Sequence, residues 1–185
     1  MKKAELRQTY KEKRARLSDE ELLGLNESLR ERVFQSIDFT HFRFIHIFLP
    51  ISQQKEFDTF PVISRLRDDF PEIQICVPRM IDFTDSFETV LLLEDSSLQV
   101  NKFGVPEPVG GYTVDSSMMD LVFVPLLCAD ERGYRVGYGK GLYDRFLAGC
   151  RDNCWKVGLS LFPTIARIDD VDSNYDVPMN IVLVA

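Results

Sequence analysis

Apolar residues return at helical spacing near the start of the chain. After the capping-box signature Ser18-Asp-Glu-Glu21, they share one face of a helix that the pattern predicts to about Ile37: Leu22, Leu25, Leu29 and Val33. Residues 1–16 have a strongly helical composition of their own. The sequence therefore predicts two leading N-terminal helices.

Apolar runs and helical patterns then alternate along the chain. The predicted elements are a strand at 42–49, a helix at 58–67, a strand at 73–77, a hairpin arm at 86–93, a Gly- and Pro-rich loop at 101–112, a strand at 121–127, a helix from the glycines at 137–141 to about 149, and strands at 156–161 and 180–184. Several strands are apolar throughout, which is typical of strands buried on both faces. The alternation predicts an α/β fold, a three-layer α/β/α sandwich with a mainly parallel, mixed sheet.

The composition agrees with one domain over residues 1–185. Apolar residues make up 45% and charged residues 28% of the chain, which is enough apolar material for a core. The formal net charge of -7 argues against a nucleic-acid partner bound through a general positive field. The sequence has no membrane-spanning apolar run and no apolar segment after its basic start, so we expect a cytoplasmic protein without a membrane partner. We also expect a monomer.

The two histidines, His41 and His46, lie in one short apolar stretch. The four cysteines do not combine with them into a set at zinc-binding spacing, and we interpret all four as reduced thiols: Cys76, Cys128, Cys150 and Cys154. If the protein uses a metal, oxygen ligands and magnesium are the favoured chemistry.

The first sixteen residues carry seven Lys or Arg and two Glu, although the whole chain is acidic. Lys3 and Arg7 are four residues apart, so on a helix both cations project from one face and can close on a single polyphosphate. The alternative interpretation is a solvated basic helix face.

Residues 135–145 combine three alternating glycines with cations, two tyrosines and a carboxylate. Glycines let backbone N–H groups approach an anion, and Lys140 and Arg135 add full charges, so the segment has the makings of a phosphate-binding loop. Leu142 breaks the dinucleotide-binding fingerprint, and Tyr134 breaks the P-loop pattern. A glycine-rich turn between a strand and a helix is the alternative.

Five ordered sequence blocks span nearly the whole chain. They are Lys3-Ala-Glu-Leu-Arg7, Glu56-Phe-Asp58-Thr59, Phe103-Gly-Val-Pro-Glu107-Pro108, the loop from Arg135 to Arg145, and Tyr175-Asp176-Val-Pro178. In this combination the chain resembles the 5-formyltetrahydrofolate cyclo-ligase family, also called methenyltetrahydrofolate synthetase. That family has a three-layer α/β sandwich fold, as the alternation of elements predicts independently.

The resemblance implies a magnesium-dependent reaction in which ATP drives closure of 5-formyltetrahydrofolate to 5,10-methenyltetrahydrofolate, with ADP and phosphate as the other products. It implies that Lys3 and Arg7 contact the ATP phosphates, that Glu56 and Tyr143 bind the folate, and that Asp144 and Asp176 approach magnesium. The loop would wrap ATP through Arg135, Gly137, Tyr138, Gly139, Lys140, Gly141 and Tyr143. Arg135, Lys140 and Tyr143 are the expected catalytic residues.

The family's proposed route transfers the γ-phosphoryl group of ATP to the formyl oxygen, and the neighbouring secondary amine then attacks the activated carbon and displaces phosphate. Such chemistry depends on positioning and on charge stabilisation. Lys, Arg and glycine amides therefore suit it, and no nucleophilic triad is needed.

Each carboxylate also has a structural interpretation. Glu56 and Asp144 are placed to cap helices, and Asp176 to accept backbone N–H bonds in a turn. Trp155 and Phe162 are interpreted as core residues, not pterin-stacking groups.

Three positions depart from the family pattern: Leu142, Tyr175 and Asn180. Tyr175 stands where the family commonly has histidine.

Two other functions compete with the cyclo-ligase hypothesis. One is a non-catalytic folate- or nucleotide-binding paralogue, which damage at Lys140, Arg135 or Asp144 would indicate. The other is a magnesium-ATP phosphotransferase for another small molecule, which need not keep Glu56.

Overall fold

The computed structural model describes residues 1–81, 84 and 86–185. Within these residues the helices are α1 (Lys3–Ala15), α2 (Asp19–Ser36), α3 (Phe60–Asp69) and α4 (Leu142–Ala148). The strands are β1 (Phe44–His46), β2 (Gln74–Met80), β3 (Phe87–Leu91), β4 (Leu98–Val100), β5 (Pro106–Pro108), β6 (Thr113–Val114), β7 (Leu121–Pro125), β8 (Cys128–Ala129), β9 (Arg135–Val136), β10 (Trp155–Ser160) and β11 (Ile181–Val184). Short 3-10 helices occupy Phe39–His41, Ser52–Gln54 and Ser116–Met118.

One mixed sheet organises the described chain, with seven strands in the order β11-β10-β7-β1-β2-β3-β6. The first five of these strands are mutually parallel. β3 runs antiparallel to both β2 and β6. The predicted mainly parallel, mixed sheet is confirmed.

The alternation of side chains along β7 separates two cores. Leu121 and Phe123 belong to a core shared with α1, α2 and α3, whereas Val122 and Val124 belong to a second core with Leu147 of α4. Since successive strand residues point to opposite faces of a sheet, helices cover both faces. The predicted three-layer α/β/α arrangement is confirmed, with α1, α2 and α3 on one side and α4 on the other.

The leading helices begin where their sequence signals lie. Ser18 and Glu21 form the predicted capping box at α2: Glu21 N donates to Ser18 Oγ at 3.1 Å and Ser18 N donates to the Glu21 carboxylate at 2.7 Å. None of the helices among the described residues is long and apolar enough to cross a membrane.

Several local features differ from the predictions. The predicted loop at 101–112 contains β5, which pairs with β4, and a second small hairpin of β8 and β9 precedes the glycine segment. Phe162 is a core residue as predicted, but Trp155 is 43% exposed, so its assignment to the core was wrong. Trp155 opens β10 at the edge of the core and packs against Phe42 at a ring-centroid distance of 6.2 Å. An amphipathic ring can cover a neighbouring aromatic residue and still face water.

Candidate active site

A cavity of about 360 Å³ opens at the carboxyl ends of the central parallel strands. Pro125 ends β7, Met80 ends β2, and Phe48 follows β1, and all three line it. Ligands of open α/β sheets bind at this edge. Every residue predicted for the site lines the cavity: Lys3, Arg7, Glu56, Arg135, Gly137, Tyr138, Gly139, Lys140, Gly141, Tyr143, Asp144 and Asp176.

Helix α1 packs directly against residues 135–145, which we call the glycine loop. Arg7 Nε donates to the backbone carbonyl of Gly137 at 2.9 Å. Gly139 has a φ of 94°, and a Cβ added there would lie 3.0 Å from Arg7 Cζ. A side chain at position 139 would therefore be strained and would press on the guanidinium. The loop needs this glycine so that Arg7 can approach it.

Two ion pairs and two backbone hydrogen bonds hold together α1, the glycine loop and the C-terminal segment around residues 176 and 177. Lys3 Nζ pairs with the Asp176 carboxylate, and Arg135 Nη2 lies 2.8 Å from Asp144 Oδ1. Arg135 also donates to the carbonyl of Val177 at 2.7 Å, and Val177 N donates back to Asp144 Oδ1 at 3.1 Å. Burial lowers the pKa of the Arg135 guanidinium, and the Asp144 charge opposes that shift. We call Lys3, Arg7, Arg135, Asp144 and Asp176 the ionic cluster.

Each carboxylate of the ionic cluster uses one oxygen. Asp144 accepts through Oδ1 and Asp176 through Oδ2, and their second oxygens accept no hydrogen bond from the described residues. The helix-capping interpretation of Asp144 is not borne out, because α4 begins at Gly141 without a side-chain cap. Asp176 Oδ2 does accept from the backbone N–H of Asp172, so its interpretation as a turn carboxylate is confirmed.

The two carboxylates fit the way magnesium binds beside phosphates. Within residues 1–81, 84 and 86–185, no group of three or more His, Cys, Asp or Glu side chains is placed to hold a metal. Magnesium in nucleotide sites usually takes one or two carboxylates and completes its shell with substrate oxygens and water. Asp144 and Asp176 match that requirement, whereas the described residues do not form an all-protein metal cage.

Glu56 lies in a buried hydrogen-bonded triad with Tyr138 and Arg14. The Tyr138 hydroxyl donates to Glu56 Oε1 at 2.7 Å, Ile51 N donates to Oε2 at 2.7 Å, and Arg14 Nη1 lies 4.0 Å from Oε1. Burial raises the pKa of Glu56, and these three partners oppose that shift. Glu56 does not cap α3, which was the alternative reading: Asp58 Oδ1 accepts instead from the helical N–H of Phe60.

Arg14 was not predicted as a site residue. Its side chain is 5% exposed, and it donates to Tyr138 at 3.0 Å and to the carbonyl of Leu126 at 2.6 Å. The sequence contained one usable signal, since Arg14 follows Arg7 by seven residues and so returns to the same face of α1 after two turns.

An aromatic cluster forms the other side of the cavity, and only Tyr143 among its members was predicted as a site residue. We use the name for four rings on β1, β3 and α4: His46, Phe87, Tyr143 and Phe146. Ring centroids lie 4.6 Å apart for His46 and Phe146 and 5.2 Å apart for Phe87 and Tyr143. Phe87 and Tyr143 face the cavity.

Val105 and Glu107 of the hairpin of β4 and β5 also line the cavity. Glu107 on β5 accepts from Met80 N at 2.8 Å and from Asn101 Nδ2 at 2.7 Å, which joins this hairpin to β2. Lys140 Nζ lies 5.0 Å from the centroid of the Phe103 ring. These contacts bring the third sequence block next to the glycine loop.

The three departures from the family pattern lie in different places. Leu142 lines the cavity. Tyr175 is 76% exposed in the turn that precedes Asp176. Asn180 Oδ1 accepts from Lys156 N at 2.8 Å and so helps join β10 to β11. Among the three, Leu142 is the one that can alter the binding surface directly.

The sequence as a whole matches a known family model. The model of the 5-formyltetrahydrofolate cyclo-ligase family covers residues 1–185. A 5-formyltetrahydrofolate cyclo-ligase of Mus musculus is 32% identical over 155 residues, which cover 78% of this chain and 73% of that protein. The one of Mycoplasma genitalium is 26% identical over 161 residues, which cover 85% and 84%.

Solved structures resemble the fold over its full length. The NMR structure of Aquifex aeolicus 5,10-methenyltetrahydrofolate synthetase gives a TM-score of 0.80 at 26% identity and covers 100% of this chain and 90% of that one. A 5,10-methenyltetrahydrofolate synthetase from Mycoplasma pneumoniae gives 0.75 at 20% identity, with 99% and 98% covered, and supports the fold alone.

Proposed function

Because the chain belongs to the 5-formyltetrahydrofolate cyclo-ligase family, as its motifs predicted, we propose that it converts 5-formyltetrahydrofolate to 5,10-methenyltetrahydrofolate with consumption of ATP. The reaction takes place in the cavity between the ionic cluster and the aromatic cluster. The observation that carries this proposal is the contact between α1 and the glycine loop, which brings Lys3 and Arg7 to the same cavity as Lys140.

The triphosphate binds on the side of the ionic cluster. Lys3 and Arg7 project from one face of α1, and the glycine loop opposite supplies backbone N–H groups and Lys140. Lys3 is paired with Asp176, so an arriving phosphate competes with that carboxylate for the Lys3 ammonium, whereas the more buried pair of Arg135 and Asp144 stays in place. The exchange frees the Asp176 carboxylate on the same side of the cavity.

Asp144 and Asp176 are the residues that would hold magnesium, through the oxygens that accept no hydrogen bond from the described chain. When bound, magnesium neutralises part of the phosphate charge. Asp144 and Val177 hold Arg135 in a fixed position, where its guanidinium supplies a second, permanent positive charge. The protein thus provides a preorganised cationic environment for phosphoryl transfer.

The reduced folate binds on the side of Glu56 and the aromatic cluster. A carboxylate has about four lone-pair sites, so Glu56 can accept a folate N–H in addition to Tyr138 and Ile51 N. Phe87 and Tyr143 offer ring surfaces to the pterin. The ligand enters a site whose polar groups are already hydrogen-bonded.

The chemistry proceeds in two steps. The formyl oxygen attacks the γ-phosphorus, ADP leaves, and the formyl carbon becomes electrophilic. The secondary amine of the folate then adds to that carbon, loses its proton, and phosphate departs with the formyl oxygen. Arg135 and Lys140 stabilise the charge on the transferred group, while Glu56 and Tyr143 hold the folate in line.

A direct assay tests the proposal. Purified protein is mixed with magnesium, ATP and 5-formyltetrahydrofolate, and the near-ultraviolet absorbance of the methenyl product is followed. We expect a rise that requires all three components and releases ADP in equal amount. A folded protein that binds both ligands without a rise would favour the non-catalytic paralogue. ADP release with another small acceptor, but not with the folate, would favour the alternative phosphotransferase.

A single domain over residues 1–185, a monomer and a cytoplasmic location belong to the same proposal. Size-exclusion chromatography with light scattering tests the oligomeric state: a mass near the 21.4 kDa of one chain is expected, and twice that mass contradicts it.

A further inference from the structure

A buried chain of three polar side chains ends at the cavity. Thr89 Oγ1 on β3 lies 3.2 Å from His46 Nδ1 on β1, and His46 Nε2 lies 3.3 Å from the hydroxyl of Tyr143 on α4. Thr89 is 2% exposed and His46 is 0% exposed. The three residues therefore connect the interior of the sheet to a side chain that faces the ligand.

The imidazole ring in the middle of this chain is neutral and fixed. Burial lowers the pKa of His46 to about 3, so the ring carries one proton at neutral pH. Phe87 stacks on the ring at 5.6 Å and 23°, and Phe146 packs at 4.6 Å. A neutral imidazole donates through one nitrogen and accepts through the other, so its two tautomers give two opposite directions of hydrogen bonding.

In the first tautomer, with the proton on Nε2, the hydroxyl proton that remains without a partner belongs to Tyr143. The Thr89 hydroxyl donates to Nδ1, Nε2–H donates to the Tyr143 oxygen, and the Tyr143 proton is left facing the cavity. There it can meet water or a ligand, so neither Thr89 nor His46 keeps a buried donor without an acceptor.

In the second tautomer, with the proton on Nδ1, the hydroxyl proton that remains without a partner belongs to Thr89 in the interior. Tyr143 donates to Nε2, Nδ1–H donates to Thr89, and the Thr89 proton then has no acceptor among the described residues. A buried hydroxyl without an acceptor carries the full cost of its desolvation. The first tautomer is favoured for this reason.

We propose that Thr89 and His46 are positioning residues that make Tyr143 an obligate hydrogen-bond donor into the cavity. Tyr143 then selects a ligand that presents an acceptor, such as a carbonyl oxygen of the reduced folate. The folate part of this inference rests on the proposed function, whereas the tautomer of His46 does not.

Nitrogen NMR on the 15N-histidine-labelled protein tests the tautomer. The chain has two histidines, and the exposed His41 serves as the internal reference. We expect His46 to show a protonated Nε2 and an unprotonated Nδ1 at neutral pH. In the isosteric Thr89→Val variant this preference is lost and the two tautomers mix. A protonated Nδ1 in the wild-type protein overturns the proposal.

Binding of 5-formyltetrahydrofolate, measured by calorimetry without ATP, tests the consequence. We expect Tyr143→Phe to weaken binding about tenfold and Thr89→Val about fivefold, since one directed hydrogen bond is lost or loosened. Thr89→Ser keeps the hydroxyl and should restore most of the affinity. ATP affinity should be the same in both Thr89 variants as in the wild type, and the circular dichroism of all three variants should match that of the wild type.

Two outcomes would contradict the positioning role. The first is folate binding by Thr89→Val that is as tight as that of the wild type. The second is a loss of affinity in Thr89→Ser equal to that in Thr89→Val, which would indicate packing and not hydrogen bonding. If the wild-type protein does not bind the folate at all, the proposed function fails while the nitrogen spectra still decide the tautomer.

Discussion

The ionic cluster and the aromatic cluster face the same cavity but are held in opposite ways. In the ionic cluster, charged side chains from distant parts of the chain neutralise one another, as Lys3 does with Asp176 across 173 residues. Their side chains are about one-fifth exposed. In the aromatic cluster, His46 is fully buried, and the rings are fixed by packing and by uncharged hydrogen bonds.

This difference indicates two modes of ligand recognition. An anion that binds to the ionic cluster must compete with the Asp176 carboxylate that already pairs with Lys3, so this ion pair exchanges partners. The aromatic cluster requires no such exchange, because its donor and its ring surfaces are in place before the ligand arrives. Substitutions and solution conditions that act on charge should therefore separate the two sides.

Lys140→Ala should have the largest effect, and it should fall on the ionic side of the cavity. Loss of a charge next to the transferred phosphoryl group should lower kcat/KM for ATP by about 10²–10³-fold, while affinity for the folate changes little. Steady-state kinetics and calorimetry measure the two effects. Lys102→Ala is a matched control, because Lys102 also lies over Phe103, at 5.3 Å, but is exposed and does not line the cavity. Equal losses in both variants would contradict a phosphate role for Lys140.

Glu56→Gln should have the reverse pattern. The amide keeps a carbonyl oxygen for Ile51 N, but it removes the charge that faces Arg14 and the acceptor that the folate needs. Folate affinity should fall roughly thirtyfold, with ATP affinity nearly unchanged, because a charged hydrogen bond is replaced by a neutral one. Calorimetric titration of each ligand separately measures this. Similar losses for both ligands would mean that Glu56 supports the whole cavity.

His46→Gln tests the aromatic side through the pH dependence of the free energy of unfolding. The pKa of His46 is lowered from 6.5 to about 3, so below pH 6.5 the unfolded chain takes up a proton that the folded protein does not. The stability contribution is complete above pH 6.5 and declines as the pH falls towards 3. Between pH 7.5 and 5.5 the free energy of unfolding of the wild type should drop by about 1.4 kcal/mol relative to the variant.

Urea unfolding of both proteins at the two pH values measures that difference. All other titratable groups, including Glu56 with its raised pKa, are present in both proteins, so their contributions cancel in the comparison. A wild-type-to-variant difference that is the same at both pH values would show that His46 ionises in the folded protein as it does in the unfolded chain.

The ionic cluster was predictable because its chemistry is visible in the sequence. Lys3 and Arg7 stand one helical turn apart, and the alternating glycines from Gly137 to Gly141 indicate close backbone approach to an anion. The spacing did not specify the carboxylate partners of the cations. Those follow from the path of the chain after β10, which brings Asp176 back to the first turn of α1.

The aromatic cluster was not predictable from periodicity. His46 stands in an apolar run, and nothing in that run distinguishes it from a core residue. Its partners lie on β3, which is separated from β1 by β2, and on α4, across the opposite face from the leading helices. Their meeting depends on sheet order and on the antiparallel return of β3, which are tertiary properties. The alternation of elements predicted the α/β class but not this register.

Ionic strength should have the smallest effect, and one salt titration tests both sides of the cavity. Added salt screens partly exposed charges at distances near 10 Å, so it weakens the attraction of the ionic cluster for a triphosphate more than it affects uncharged contacts. From 0.05 to 0.5 M salt, the KM for ATP should rise about threefold while the pterin contacts are unchanged. The uncharged control ligand is a folate fragment without the glutamate carboxylates. The dissociation constant of this fragment should not change with salt. If that fragment weakens as much as ATP does, the two sides of the cavity are not electrostatically distinct.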